Sequence, residues 1–149
     1  MHKAVIFDID GTLADSRHRL QYLEQQPKQW DKFFSESIKD KYIPAVYNEY
    51  KKYKKAGHKI IILTGRPETQ RALTEEWLHK KDIQYDKLYM CPNKLTNTPQ
   101  HEVKKMIIET LIPYYKITAA YDDNELMEGV CNKFNIPFFL VQKYEIIKR

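Results

Sequence analysis

The sequence predicts an α/β fold, a mainly parallel sheet flanked by helices, and two observations lead there. Short apolar runs alternate with stretches of helical periodicity along the chain, the pattern of successive strand–helix units. Three of those runs also end in hydroxyl or carboxylate residues, and the carboxyl ends of strands are where open α/β sheets bind ligands. The sharpest case is Ala4-Val5-Ile6-Phe7, which leads directly into Asp8-Ile9-Asp10-Gly11-Thr12-Leu13. Asp8 and Asp10 point the same way on an extended backbone, because side chains alternate faces along a strand. Gly11 then lets the chain turn sharply. Two acids at the end of a buried strand suit a divalent cation, and each offers a carboxylate as a nucleophile.

The remaining elements follow in order. Asp15 to Tyr42 is polar and aromatic, with Trp30 to Phe34 as one short amphipathic helix. Pro44 opens a helix with Val46, Tyr50 and Tyr53 on one face, and Gly57 ends it. Lys59-Ile60-Ile61-Ile62-Leu63 is a second buried strand that ends in Thr64-Gly65-Arg66. Pro67 starts a helix with Leu73 and Trp77 inward, and Lys87 to Met90 is a short strand. Thr98-Pro99 caps a helix on which Val103, Met106, Ile107 and Leu111 recur at helical spacing, and Pro113 stops it. Ile117 to Tyr121 is a third buried strand and ends in Asp122-Asp123. Asn124 caps a helix bearing Met127, Val130, Cys131 and Phe134, and Pro137 to Val141 is the last strand.

These motifs together carry a resemblance. The chain resembles a haloacid dehalogenase superfamily phosphatase from Ala4 to about Val141. Asp8 to Leu13 matches the first motif of that superfamily, Thr64 the second, a lysine in Val103-Lys104-Lys105 the third, and Asp122-Asp123 the fourth. Within the superfamily, Ile62 to Glu68 with Thr74 to Leu78 is similar to the phosphatase half of phage-type polynucleotide kinase/3′-phosphatases. The resemblance implies a Rossmann-like fold and a magnesium-dependent phosphomonoesterase acting through an aspartyl-phosphate. Its substrates would be nucleic-acid 3′-phosphate ends or nucleotides.

Residue by residue, it implies Asp8 as nucleophile and Asp10 as general acid, then base. Thr64 and the amides near Gly65 would bind a phosphoryl oxygen. Lys104 would neutralise charge, with Lys105 and Lys94 as competing candidates. Arg66 and Arg19 would contact substrate phosphate, since a guanidinium fits it bidentately. Asp8, the Asp10 carbonyl, Asp122 and Asp123 would hold Mg2+, and which of the paired aspartates binds directly is open. The chain departs from the polynucleotide subfamily twice. Gln100 stands where an acidic residue usually precedes the motif lysine by a helical turn, and Asn124 stands where an arginine usually follows the paired aspartates.

The 149 residues are expected to form one domain with a short helical insert at roughly 16–42. No full cap domain fits between the motifs. Capped relatives close over small metabolites, so a capless chain leaves its site open to large substrates unless another subunit supplies a lid. The net charge of +5 and sequence pI of about 9.0 favour anionic partners. Lys51-Lys52-Tyr53-Lys54-Lys55 reads as the solvated face of a helix rather than a nucleic-acid stripe. Cys91 and Cys131 form no metal-ligand pattern, and neither do the five histidines. With no membrane-length apolar stretch and no signal-peptide core, a cytoplasmic location is expected. A small-metabolite phosphatase for a mononucleotide or sugar phosphate is the alternative enzyme. A receiver-like phospho-acceptor is disfavoured by the Gly11-Thr12 turn and Thr64-Gly65-Arg66, and a silent binding protein by the presence of both Asp8 and Asp10.

Overall fold

The structure is a computed structural model and describes residues 1–149. Its eight strands are β1 (His2–Phe7), β2 (Ala14–Asp15), β3 (Lys41–Tyr42), β4 (Lys59–Pro67), β5 (Lys87–Cys91), β6 (Tyr115–Asp122), β7 (Phe138–Gln142) and β8 (Glu145–Lys148). The five helices are α1 (Trp30–Ser35), α2 (Pro44–Lys55), α3 (Arg71–Lys80), α4 (Gln100–Leu111) and α5 (Met127–Lys133). Six strands form one sheet in the order β5-β4-β1-β6-β7-β8. All neighbours are parallel except the β7–β8 pair.

Strand alternation sorts the core into two layers, one on each side of the sheet. Val5, Phe7, Ile60, Ile62 and Tyr121 pack with Tyr50 of α2 and Trp77 of α3. Ala4, Ile6, Ile61, Leu63 and Leu140 pack with Ile108 and Leu111 of α4 and Val130 of α5. Both faces of the central strands are therefore dry, which is why they read as continuous apolar runs. β6 needs one adjustment. Its register to β1 shifts between Ala4 and Val5, so Ala4 faces Ile117 while Val5 faces Ala119. The extra residue, Thr118, flips the face parity of everything after it. Ile117 and Ala120 consequently share one layer, and Ala119 and Tyr121 the other.

The sheet winds outward from β1 in both directions, so its topological switch lies between β1 and β6. β4 flanks β1 on the other side, and the carboxyl ends of all three strands reach the same edge. The segment between β2 and β3 forms the insert. It is closed at its base by the antiparallel pairs Ala14–Tyr42 and Asp15–Lys41. Within it lie 3-10 turns at Arg17–Leu23 and Glu36–Lys39, with α1 between them.

Four sequence expectations shift. β4 runs on through Thr64, Gly65 and Arg66 to Pro67, and α3 begins only at Arg71 after a 3-10 turn. On α3, Thr74 rather than Leu73 joins Trp77 on the buried face. On α4, Met106 is 50% exposed, because Lys104 occupies the buried stripe beside Val103 and turns it. The chain also does not end its sheet at β7. Lys143 and Tyr144, at φ values of 50° and 66°, form a tight reversal into β8. Positive φ at both residues is the geometry of a two-residue hairpin, but neither residue is the Asn or Gly that usually signals it.

Candidate active site

Asp8 lies one residue past β1 and is buried. Its backbone N–H donates to the Tyr121 carbonyl at 3.0 Å, which carries the parallel ladder onto the motif itself. Gly11, at φ 80°, makes the turn that follows. The Thr12 hydroxyl returns to Asp8 Oδ2 at 3.1 Å and so orients the carboxylate. Lys104 Nζ donates to Asp8 Oδ1 at 3.0 Å and to Asp122 Oδ2 at 2.6 Å. The Lys104 stem crosses the dry face of α4 to get there, and the ammonium is buried. Lys94 is exposed and Lys105 only half-buried. Neither pairs with a site acid, so the geometry separates Lys104 from its two competitors.

Asp122 ends β6, and its Oδ1 accepts the Asn124 N–H at 3.0 Å. Asn124 in turn accepts the Leu126 N–H at 3.0 Å. The expected cap therefore works as two local turns ahead of α5, which begins at Met127. Asp8, Asp122 and Asp123 offer oxygens that all lie within 4.8 Å of one another. Burial pushes Asp8 well above the ordinary carboxylate range, Asp122 adds to the push, and Lys104 opposes it. Burial and Asp122 likewise raise Asp123 to about 6. Burial acts to lower the Lys104 pKa, but Asp8 and Asp122 outweigh it and hold the ammonium charged. Three carboxylates thus face one ammonium, an excess of negative charge that a divalent cation would relieve. An all-oxygen donor set of this kind fits Mg2+. Gly11 belongs to the same construction, since a Cβ there would overlap the Asp123 carboxylate.

Asp10 faces elsewhere. Its carboxylate stands outside the three-acid cluster, so any metal contact from this residue rests on its backbone carbonyl. Arg66 grips it as a fork, Nε to Oδ2 at 3.0 Å and NH2 to Oδ1 at 2.8 Å. Arg19 NH2 donates to the same Oδ1 at 2.6 Å. Burial would raise the Asp10 pKa, but Arg66 and Arg19 outweigh it and hold the carboxyl below its usual range.

Asp40 stands behind these arginines, and sequence reading missed it. It is fully buried and accepts Arg19 Nε at 2.9 Å and Arg19 NH2 at 2.8 Å. Arg66 NH2 lies 3.6 Å away, and His18 Nε2 is 2.7 Å from Oδ1. Its carbonyl accepts the Trp77 indole N–H at 2.9 Å. Arg19, expected at the phosphate, is instead buried between two aspartates with its guanidinium 4.4 Å from the Phe33 ring centre. His18 also spends its ring nitrogen on Asp40. A carboxylate in a polar run between two lysines carries no periodic or motif signal, so only its clustering with arginines in space reveals it.

The Thr64 hydroxyl accepts the Arg66 N–H at 3.1 Å at the end of β4. Gln100, at the start of α4, lies over Gly65 so closely that a Cβ there would overlap its amide. The acid missing at this position therefore deprives neither base of a partner. Lys104 has Asp8 and Asp122, and Arg66 has Asp10 and the Thr74 hydroxyl at 3.2 Å. Beside this floor opens a groove of about 490 Å3 that runs from Asp10, Asp123 and Arg66 to Trp30, Phe33 and Phe34.

The geometry has counterparts among known proteins. The family described as polynucleotide kinase PNKP phosphatase domain matches residues 2–144. A chain in the structure of the Pnkp1/Rnl/Hen1 RNA repair complex superposes with TM-score 0.80 at 29% identity, covering 95% of this chain and 42% of that one. A second Pnkp1/Rnl/Hen1 complex gives TM-score 0.77 at 30% identity, covering 95% and 45%. This chain therefore spans under half the length of either. A haloacid dehalogenase-like family hydrolase from Streptococcus pneumoniae shares the fold at TM-score 0.66 and 12% identity, covering 92% of this chain and 83% of that one. No curated protein sequence matches. No helix is long and apolar enough to cross a membrane.

Proposed function

The chain belongs to the polynucleotide kinase PNKP phosphatase-domain family, and from that premise we propose a magnesium-dependent phosphomonoesterase that clears 3′-phosphates from nucleic-acid ends. The observation that carries this reading is the convergence of Asp8, Lys104, Asp122 and Asp123 at the β1/β6 switch, beside an open groove rather than under a cap. Residues 1–149 act as one phosphatase domain, and the insert shapes the mouth.

Each residue then has a task. An Asp8 oxygen attacks phosphorus and the ester oxygen departs, leaving an aspartyl-phosphate. Thr12 and Lys104 hold that carboxylate in position and spread its charge. Asp10 gives its proton to the departing oxygen, then takes one from the water that releases phosphate and restores Asp8. In the free protein the arginines favour the ionised form of Asp10. A substrate phosphate that draws Arg66 towards its own oxygens loosens that hold and lets Asp10 carry the proton. Thr64 and the amides around Gly65 face the phosphoryl oxygens from the end of β4. Asp8, Asp122 and Asp123 would hold Mg2+, which supplies charge neutralisation at the phosphoryl group when bound.

The occurrence of a structural neighbour in an RNA repair complex supports a polynucleotide over a metabolite. The test compares a 3′-phosphorylated oligonucleotide with the matching 3′-mononucleotide at two salt concentrations. A higher kcat/KM for the oligonucleotide that falls steeply with salt is expected. A ratio near one at both salts leaves the small-nucleotide phosphatase standing instead.

A further inference from the structure

α1 breaks the usual rule for a helix rich in aromatic residues. Three of its six residues are Trp30, Phe33 and Phe34, yet none of the six is buried. Such side chains normally form the apolar stripe that faces a core. Here they pack on one another, with Phe33 also under Arg19. Trp30 and Phe34 lie nearly parallel, with ring centres 5.9 Å apart and planes at 25°, and Phe33 stands edge-on to Phe34 at 5.4 Å. Trp30 keeps 48% of its surface exposed and neighbouring Leu20 keeps 44%. The cluster is nonetheless fixed to the reaction centre, because Arg19 lies over Phe33 while it holds Asp10.

The groove says what this wall faces. One continuous cavity has Asp10, Arg66 and Asp123 at its floor and the α1 aromatics along one side. Thr96, Thr98 and Gln100 supply hydroxyl and amide groups to the same cavity. Its volume of about 490 Å3 lies within the roughly 300–1,000 Å3 range of small-ligand sites. A phosphate held at Asp8 leaves the group it esterifies in this space. A flat group would use the aromatic wall, and polar edges on it would use the hydroxyls and the amide. Outside the wall, Lys28 Nζ lies 5.8 Å from the Trp30 ring centre and Lys32 Nζ 5.5 Å from that of Tyr22. Cations beside a stacking surface suit a nucleic-acid backbone.

Resting on the polynucleotide reading above, we propose that α1 is a stacking platform for the unpaired base of the substrate's terminal nucleotide. The threonines and Gln100 meet its polar edge or ribose, and Lys28 and Lys32 meet the phosphates beyond. The platform makes the enzyme one for frayed or single-stranded ends, since a paired terminal base cannot lie on the wall.

Two measurements decide it. The first compares kcat/KM for a single-stranded 3′-phosphorylated oligonucleotide with that for the same strand carrying an abasic terminal nucleotide. The intact base is expected to win by on the order of tenfold, from a stacking contribution of a few RT. Trp30→Ala and Phe34→Ala should each bring the ratio towards one. A wild-type ratio near one overturns the platform. The second needs no turnover. Catalytically dead Asp8→Asn is titrated with adenosine 3′-monophosphate and with ribose 3-phosphate, following tryptophan fluorescence. Trp77 is fully buried, so quenching reports on Trp30, and Trp30→Phe should abolish it. Quenching by the nucleotide alone is expected, and equal affinity of the two ligands overturns the platform whatever the natural substrate. Tight nucleotide binding without oligonucleotide hydrolysis would keep the base site and reject the polynucleotide reading.

Discussion

The strand-end floor and the insert between β2 and β3 build the same cleft by opposite means. The floor is made of residues at or just past the carboxyl-terminal part of buried strands, so the sheet places them: Asp8 one residue after β1, Thr64 within the last stretch of β4, Asp122 as the final residue of β6. The insert has almost no regular ladder of its own, only the two pairs at its base. It is held to the floor by charge, through Asp40 and Arg19 to Asp10, and by the Trp77 indole on the Asp40 carbonyl. The floor carries chemistry that a stable sheet positions. The insert orients Asp10 through Arg19 and, on the proposal above, recognises the substrate; both depend on a handful of polar contacts that can be lost singly.

That contrast can be broken or sharpened by substitution, taking the largest effect first. Lys104→Met removes the ammonium from between Asp8 and Asp122. Loss of a charge-stabilising group at a reacting centre costs about 10²–10³ in kcat, and steady-state kinetics checks it. Asp40→Asn leaves two buried guanidinium groups short of a counter-charge. Breaking a buried pair by removing one partner costs about 3–5 kcal/mol, to be read from urea denaturation. A lower kcat in the fraction still folded should accompany it, because Arg19 and Arg66 no longer hold Asp10 in place. Undiminished stability in Asp40→Asn would mean that the insert is not pinned by this carboxylate. Gly11→Ala should displace Asp123 and strain a φ of 80°. The expected result is a raised magnesium requirement, measured by titrating the metal against activity. Trp77→Phe keeps the ring packed but loses the bond to the Asp40 carbonyl. About 1 kcal/mol of stability should go with it. Neutralising Lys51, Lys52, Lys54 and Lys55 together should change oligonucleotide turnover least. They are exposed at the end of α2 that leads into β4, at the edge of the sheet remote from Asp8.

The floor was legible in the sequence, as was the insert's helix α1, but the contacts that pin the insert were not, for a physical reason. Strand periodicity is a local signal, so an apolar run that ends in Asp8, Thr64 or Asp122 announces both the element and the edge at which its side chains gather. Lys104 was harder, because a lysine on a helix is usually solvated. Its resemblance to the third motif singled it out, and its burial explains why the apolar stripe of α4 left Met106 exposed. Arg19 stands out through the family resemblance, but its partner Asp40 lies in a segment without period or motif. Their pairing joins residues 21 positions apart and exists only once the insert folds back. β8 escaped for a smaller reason, a reversal made by Lys143 and Tyr144 where the usual turn residues are absent. The departures at Gln100 and Asn124 set the chain apart from the polynucleotide pattern, and Gln100 in particular takes away an acid that could pair with Lys104 or Arg66. The structure shows the bases paired elsewhere and Asn124 spent on the turn into α5.

The central claim is that Asp8 attacks phosphorus on a floor that requires magnesium. It is tested most directly by phosphate release from a 3′-phosphorylated oligonucleotide, with wild type and Asp8→Asn side by side, in magnesium and in EDTA. The substitution is nearly isosteric, so circular dichroism and thermal melting should show the same fold. Release is predicted from wild type in magnesium alone and from Asp8→Asn in neither condition. Turnover by a folded Asp8→Asn above a few per cent of wild type, or full wild-type activity in EDTA, would contradict it.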